Sequence, residues 1–285
     1  MHKTKLSLLL TCCISLHAEA QALFRSVLYD KMNIEPIGFA TIKVLNKPFG
    51  TFSSEEGKFE IEVSANDSLL ITCIGYQTRI VYATASDTIF LEPVVKELSP
   101  VVINQKKVST IETLGIRAKK DFRWGPAGFA EEFAQKIYLH LKDDEYCQVN
   151  KVILSAAYFN PERPVLLHIY SVHPTEGIPD QELLSKNYII TKEHFKKGKI
   201  VIDIEKENLF VDAESVFVSF AWLGYGKKFK RKNQVSTLLN MTHDLSLALT
   251  YSRSLSSSSY EWFKAPQIYG KIINTIFTIE VKKFK

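Results

Sequence analysis

Cysteine is scarce in this sequence: there are four in 285 residues, and Cys12 and Cys13 fall within the first twenty positions. Too few remain for a disulfide framework. Long apolar runs are missing as well. Beyond the first twenty residues no stretch reaches the roughly eighteen apolar residues of a membrane-spanning helix. Charge of one sign is not in large excess, with 36 Lys+Arg against 31 Asp+Glu and a net +5. That total is too mild to argue for nucleic-acid binding. No Gly-x-Ser-x-Gly, His-Glu-x-x-His, P-loop or dinucleotide fingerprint occurs. What is present is ordinary globular material, 46% hydrophobic and 24% charged. It is enough to bury one large core or two smaller ones.

Residues 1–20 read as a secretory signal. Lys3 and Lys5 open it, Leu6 to Leu16 is a short apolar run, and Ala18-Glu19-Ala20 offers small residues for cleavage. The run is too short to remain as a spanning helix. Cys12 and Cys13 raise a lipoprotein alternative, but Thr11 and Cys12 suit the position before a lipidated cysteine poorly. The expected location is export to the periplasm, the outer membrane surface or the exterior. Cleavage after Ala20 removes Lys3, Lys5 and Glu19, a net +1, so the +5 of the whole chain becomes +4. It leaves Cys73, inside the apolar run Leu69 to Ile74, and Cys147. Both are expected as thiols, since a bridge would have to join the two halves of the chain.

From residue 21 to 104, short strand signals alternate with turns. Phe39 to Val44 is rich in β-formers, and Phe59, Ile61 and Val63 alternate with Lys58, Glu60 and Glu62. About seven such strands with no helical period predict a small β-sandwich. The order Pro36…Ala40-Thr41-Ile42-x-Val44, Phe49-Gly50-Thr51-Phe52, Gly57-x-Phe59-x-Ile61, Asp67-x-Leu69 and Ile74-Gly75-Tyr76 resembles the carboxypeptidase-D regulatory-like domain. The closing Leu98-Ser99-Pro100-Val101-Val102-Ile103 resembles its Bacteroidetes members. The resemblance implies a transthyretin-like sandwich of exported proteins, often ahead of outer-membrane nutrient receptors, and it implies no catalysis. Leu23 to Asp30 departs from it, lacking the common Gly-x-Val start. Physically, Gly57 suits a turn with positive φ, and Tyr76 is expected to cap the core with its hydroxyl in water.

Residues 105–130, with Arg117, Lys119, Lys120 and Arg123, are expected to form a basic connector. Residues 131–285 return to strand patterns. Val216, Val218, Phe220 and Trp222 share one face, as do Ile273, Thr275, Phe277, Ile279 and Val281. Short helical turns are expected at Gln181 to Lys186 and at Ala127 to Phe133. The fold class predicted is all-β: a small sandwich followed by a larger jelly-roll-like one. The stretches Leu167 to Val172, Glu182-Leu183-Leu184, Asn187 to Ile190, Val201 to Ile204 and Val218 to Trp222 resemble uncharacterised exported Bacteroidetes proteins with the same front domain. That likeness implies a galactose-binding-like jelly roll and no shared activity.

His173-Pro174-Thr175-Glu176 has the His-x-x-Glu spacing of a zinc carboxypeptidase. His194 and His243 lie too near to supply the third ligand, so no metal, cofactor or catalytic residue is expected. His168 reads as a satisfied strand histidine, and Asp143-Asp144-Glu145 as a solvated turn. The sharpest surface feature is Tyr225 followed by Lys227, Lys228, Lys230, Arg231 and Lys232, a basic end loop suited to a polyanion. The expected function is an exported, non-catalytic envelope protein that binds or assembles with a protein or glycan partner through such loops. One alternative is carbohydrate binding by the jelly roll. The other is a zinc carboxypeptidase-like hydrolase, for which the motif set is incomplete.

Overall fold

The computed structural model describes residues 22–45, 47, 50–64, 66–83, 87–94, 107–126, 131–161, 165–222, 236–243, 247–254, 261–265 and 270–285. Their regular structure is strand, apart from the single-turn 3-10 helices Lys192–His194 and Glu205–Glu207. The all-β, two-sandwich architecture predicted above is the one observed.

The first module contains β1 (Ala22–Asp30), β2 (Thr41–Val44), β3 (Gly50–Phe52), β4 (Lys58–Val63), β5 (Ser68–Thr72), β6 (Arg79–Tyr82) and β7 (Thr88–Leu91). One sheet has the order β4-β1-β7 and the other β3-β2-β5-β6. β4 shows why they face each other. Phe59, Ile61 and Val63 are buried, whereas Lys58, Glu60 and Glu62 point away from the core, as a period of two dictates. Leu28, Ile42, Leu69, Ile71 and Leu91 complete that core. Although Leu23 to Asp30 lacks the expected opening motif, β1 is the nine-residue central strand of its sheet, antiparallel to β4 and parallel to β7. Gly57 has φ +76, and a Cβ there would lie 2.5 Å from the Leu28 carbonyl oxygen, so the turn into β4 requires glycine. The Tyr76 hydroxyl is not left to water. It donates to Asp30 Oδ2 at 3.0 Å, and Asp30 also accepts the Met32 and Asn33 amides.

The second module begins earlier than the sequence suggests. Within the stretch expected as a connector, residues 105–130, lie two strands of its sheets, β8 (Val108–Gly115) and β9 (Phe122–Trp124). These precede β10 (Glu131–Tyr138), β11 (Tyr146–Tyr158), β12 (Val165–Val172), β13 (Pro179–Glu182), β14 (Tyr188–Ile190), β15 (Phe195–Lys196) and β16 (Lys199–Asp203). β17 (Phe210–Val211), β18 (Ser215–Trp222), β19 (Leu238–Thr242), β20 (Thr250–Ser254), β21 (Phe263–Lys264), β22 (Asn274–Thr275) and β23 (Phe277–Phe284) complete it. β8 pairs with β23, and β9 with β19. The basic charges of this stretch sit on the outer side while Leu114, Phe122 and Trp124 pack inward. The expected helical turn at Gln181 to Lys186 is instead partly strand, because β13 pairs with β12. In the same way Phe133 belongs to β10.

Two sheets face each other here. One runs β13-β12-β18-β10-β20-β21, and the other carries β15-β16-β11-β19-β22 with β8, β9, β17 and β23 attached. The chain alternates between them (β10, β11, β12, β16, β18, β19, β20, β23), which is the jelly-roll-like feature. Phe217, Phe220 and Phe277 are fully buried, each burial being worth about 1.5–3 kcal/mol. Gln135 bridges the sheets from the inside. Its Nε2 donates to the Phe277 carbonyl at 2.9 Å, and its Oε1 accepts from the Phe277 amide and Thr275 Oγ1 at 3.0 Å each. A buried amide with its partners in place couples the two layers without an unsatisfied group. The first module leans on the outer face of the β12–β18 sheet, where Phe39 and Phe52 pack against Leu166 and Ala221. There Asn187 Nδ2 also donates to the Gly38 carbonyl at 3.4 Å and to Cys73 Sγ at 3.3 Å.

Candidate functional site

Tyr225, Lys227, Lys228, Lys230, Arg231 and Lys232 lie outside the described residues. Their flanks are well tied: Trp222 Nε1 donates to the Thr237 carbonyl at 2.7 Å, joining the end of β18 to the approach to β19. The His173–Glu176 pair is part of a closed hairpin. Its Nδ1 accepts the Glu176 amide at 3.2 Å, and the Gly177 amide donates to the His173 carbonyl. His194 Nδ1 accepts the Thr191 amide, and His243 is bonded to Asp121. Each of these histidines is thus occupied by a local contact. Glu145 folds its carboxylate onto the Lys142 amide, as a solvated turn does. Cys73 and Cys147 are free thiols in separate cores. Burial pushes them up to about 11 and about 12 respectively, so neither is poised as a nucleophile.

Among the described residues, two groupings of charge stand out. The first is a buried cluster on the outer face of the β12–β18–β10–β20 sheet. Glu132 receives Arg253 Nε at 2.7 Å and the Tyr170 hydroxyl at 2.9 Å, together with the Ser219 hydroxyl. His168 Nδ1 lies 2.7 Å from Glu182 Oε2, and Glu182 Oε1 also accepts the Ile169 and Leu184 amides. The Trp262 ring lies under the Arg253 guanidinium, 4.3 Å from ring centre to Cζ. Burial would push the Glu132 carboxyl up, but Arg253, His168, Ser219 and Tyr170 together hold it below the ordinary range. Burial likewise opposes a charged His168, yet Glu132 and Glu182 raise its pKa. Two acids and two bases therefore compensate one another inside the protein. The cluster knits five strands, β10, β12, β13, β18 and β20, and its polar groups are turned towards each other.

The second place is an open cleft of about 480 Å³ on the outer face of the other sheet. Its polar lining is Lys120, Arg123, Ser155, Lys197, Lys199 and Asn240. Arg123 on β9 lies directly opposite Asn240 on β19, and Ser155 on β11 directly opposite Lys199 on β16. Asn240 Nδ2 donates to Ser155 Oγ at 3.0 Å. A cross-strand row of cation, amide, hydroxyl and cation thus spans four strands, while Leu154, Ala156, Leu239 and Met241 between them point into the core. Lys197 and Gly198 form the two-residue turn between β15 and β16, with φ values of 49° and 77°. This geometry suits a tight hairpin and projects Lys197 and Lys199 together. Among the described residues no carboxylate lines the cleft, and none of its four cations has an ion-pair partner there. Adjacent like charges repel by about 1 kcal/mol at 4 Å even in water. Such a cluster is relieved by an anion.

Sequence reasoning noted Lys120 and Arg123 as part of a basic stretch but missed the cleft. The available signal was Lys196-Lys197-Gly198-Lys199, three cations around a glycine turn. No family model matches the chain, and no curated protein matches it. Among solved structures, it is similar to the cysteine protease and lectin-like domains of Cwp84, a surface layer associated protein of Clostridium difficile. That match has 9% identity and a TM-score of 0.35, covering 86% of this chain and 59% of that one. It is also similar to infectious bursal disease virus VP2 from a subviral particle, at 7% identity and TM-score 0.26, covering 93% of this chain and 64% of that one. A third likeness is to alpha-L-rhamnosidase from Dictyoglumus thermophilum, at 11% identity and TM-score 0.18, covering 86% of this chain and 25% of that one. The chain thus spans less than two thirds of each of these proteins. Likenesses of this degree carry nothing about what the chain binds.

Proposed function

We propose that this is an exported, non-catalytic binding module whose larger sandwich holds an anionic partner. The observation that supports it is the cleft: Lys120, Arg123, Lys197 and Lys199 face one space with no carboxylate among them. The Ser155 oxygen already accepts from Asn240, so its own hydrogen is available to an acceptor in the cleft. The groups with the chemistry for hydrolysis favour the same reading. His168, Glu132 and Glu182 are committed to one another and to Arg253, and His243 to Asp121. Recognition by clustered cations needs no proton transfer, whereas hydrolysis needs a base free to reach a substrate.

The test is retention of the purified protein on a sulfated polysaccharide matrix. At low ionic strength it should be held, and it should elute as salt rises towards physiological strength, because exposed charges are then screened within about 8 Å. A variant carrying K120E, R123E, K197E and K199E should pass through unretained. Full retention of that variant, with its fold intact by circular dichroism, would overturn the assignment of the site. Release of product from peptide or glycoside substrates would overturn the non-catalytic reading.

A further inference from the structure

The cross-strand row also limits the shape of what the cleft takes. Neighbouring strands are about 4.8 Å apart, so the Arg123 and Lys199 backbones, three strands apart, are separated by roughly 14 Å. A single phosphate or sulfate meets both ends only if the long Arg123 and Lys199 arms fold inward over the row, whereas a longer anion meets them extended. A cleft of about 480 Å³ falls in the range of about 300–1,000 Å³ that accommodates drug-sized ligands, not simple ions. Between the cations the lining is neutral: the Ser155 hydroxyl and Asn240 amide beside the aliphatic surface of Ala118, Ala157 and Ile276. An occupant must therefore be elongated, negative at two or more points, and provided with both hydroxyl groups and apolar C–H faces. That combination describes a chain of acidic sugars.

An acidic peptide meets the charge requirement but finds no further source of affinity. β9 pairs with β19, β19 with β11, and β11 with β16, so the strands beneath the cleft are already joined to each other. An extended peptide laid across them finds no row of free backbone groups to pair with, which is how such peptides usually gain affinity. A sugar chain has no need of a strand edge. It can be held by side chains alone.

We propose that the cleft binds a linear acidic oligosaccharide of two or three units. Its carboxylates are held by Lys120 and Arg123 at one end and by Lys197 and Lys199 at the other, and a sugar oxygen accepts from Ser155. This rests on the anionic-partner reading above. Asn240 supports the floor: it is buried, and its Oδ1 has no hydrogen-bond partner.

The experiment is calorimetric titration of the purified protein with trigalacturonate, with its neutral methyl ester, with inorganic triphosphate and with a tri-glutamate peptide. The expected result is saturable binding of trigalacturonate alone. It should weaken about tenfold or more in K120E/R123E and in K197E/K199E, since charge-assisted contacts are lost at one end each time. A variant with Lys227, Lys228, Lys230, Arg231 and Lys232 all changed to Ala should bind as the parent does. Equal or tighter binding of triphosphate or tri-glutamate would overturn the sugar assignment and leave the anionic-partner reading standing. Equal binding of the methyl ester would overturn the role of the carboxylates. No binding of any anion would overturn both readings, and loss confined to the 227–232 variant would move the site to that loop. Thermal midpoints of all variants within a few degrees of the parent show that folding is not the cause.

Discussion

Replacing Glu131 by glutamine should stabilise the protein at neutral pH and leave it unchanged near pH 4.5. Glu131 opens β10, between Trp222 and Ser254 on the neighbouring strands. Its Oε2 is buried without a hydrogen-bond partner, and desolvation pushes the carboxyl from 4.5 up to about 7. Between those values the unfolded chain has lost a proton that the native state still holds. The native state binds more protons, so stability falls as pH rises through this window and levels off above about 7. At about 1.36 kcal/mol per tenfold change in proton affinity the full effect is roughly 3 kcal/mol. The residue is only half-buried, and solvent screening reduces the expected difference to about 1–2 kcal/mol. Denaturant unfolding of parent and E131Q at half-unit steps from pH 4.5 to 7.5 measures it. His168, whose pKa is also raised from 6.5, gives the same sign but only above that value. The interval from 4.5 to 6.5 therefore isolates Glu131. A difference between the two proteins that stays flat there, or grows towards acid, refutes the argument.

Arg253→Met should cost about 3–5 kcal/mol by leaving Glu132 buried and unpaired, while E132Q/R253M should cost less than R253M alone. Denaturant unfolding of R253M, E132Q and E132Q/R253M reads the coupling, and strict additivity would show that the pair is not coupled. Protein lacking residues 1–20 should titrate two thiols per chain in denaturant without reductant, and react slowly when native, because both thiols are raised to about 11 and about 12. A thiol count of zero under those conditions would mean a Cys73–Cys147 bridge and a different packing of the two modules.

Much of the fold is legible where burial shows in the pattern of a strand. β4 is found from its alternation, because a strand with one face in a core writes a period of two into its sequence, and β18, buried on both faces, from its mostly apolar run. β1 and β8 are harder. β1 lacks its motif yet takes the centre of a sheet, since Ser26, Leu28 and Asp30 all face inward. β8 is an exposed edge strand with Val108 and Ile111 in the open, so its pattern is weak, and its partner β23 closes the chain. Half of the cleft was visible as the basic stretch around Lys120 and Arg123. The other half, the Lys197-Gly198 turn, carries a local signal for a hairpin but none for what it faces.

By itself the sequence determined the class of this protein. Alternation set all-β sandwiches, the cysteine count removed a disulfide framework, and Gly57 marked a turn that needs positive φ. These are local properties, set within a few residues by sterics and by the side of a strand that meets water. Tertiary structure decided which strands lie side by side. Arg123, Asn240, Ser155 and Lys199 become one row because β9, β19, β11 and β16 are neighbours. That order follows from packing the whole core, since an alternating pattern tells a strand which face to bury and not which strand to join.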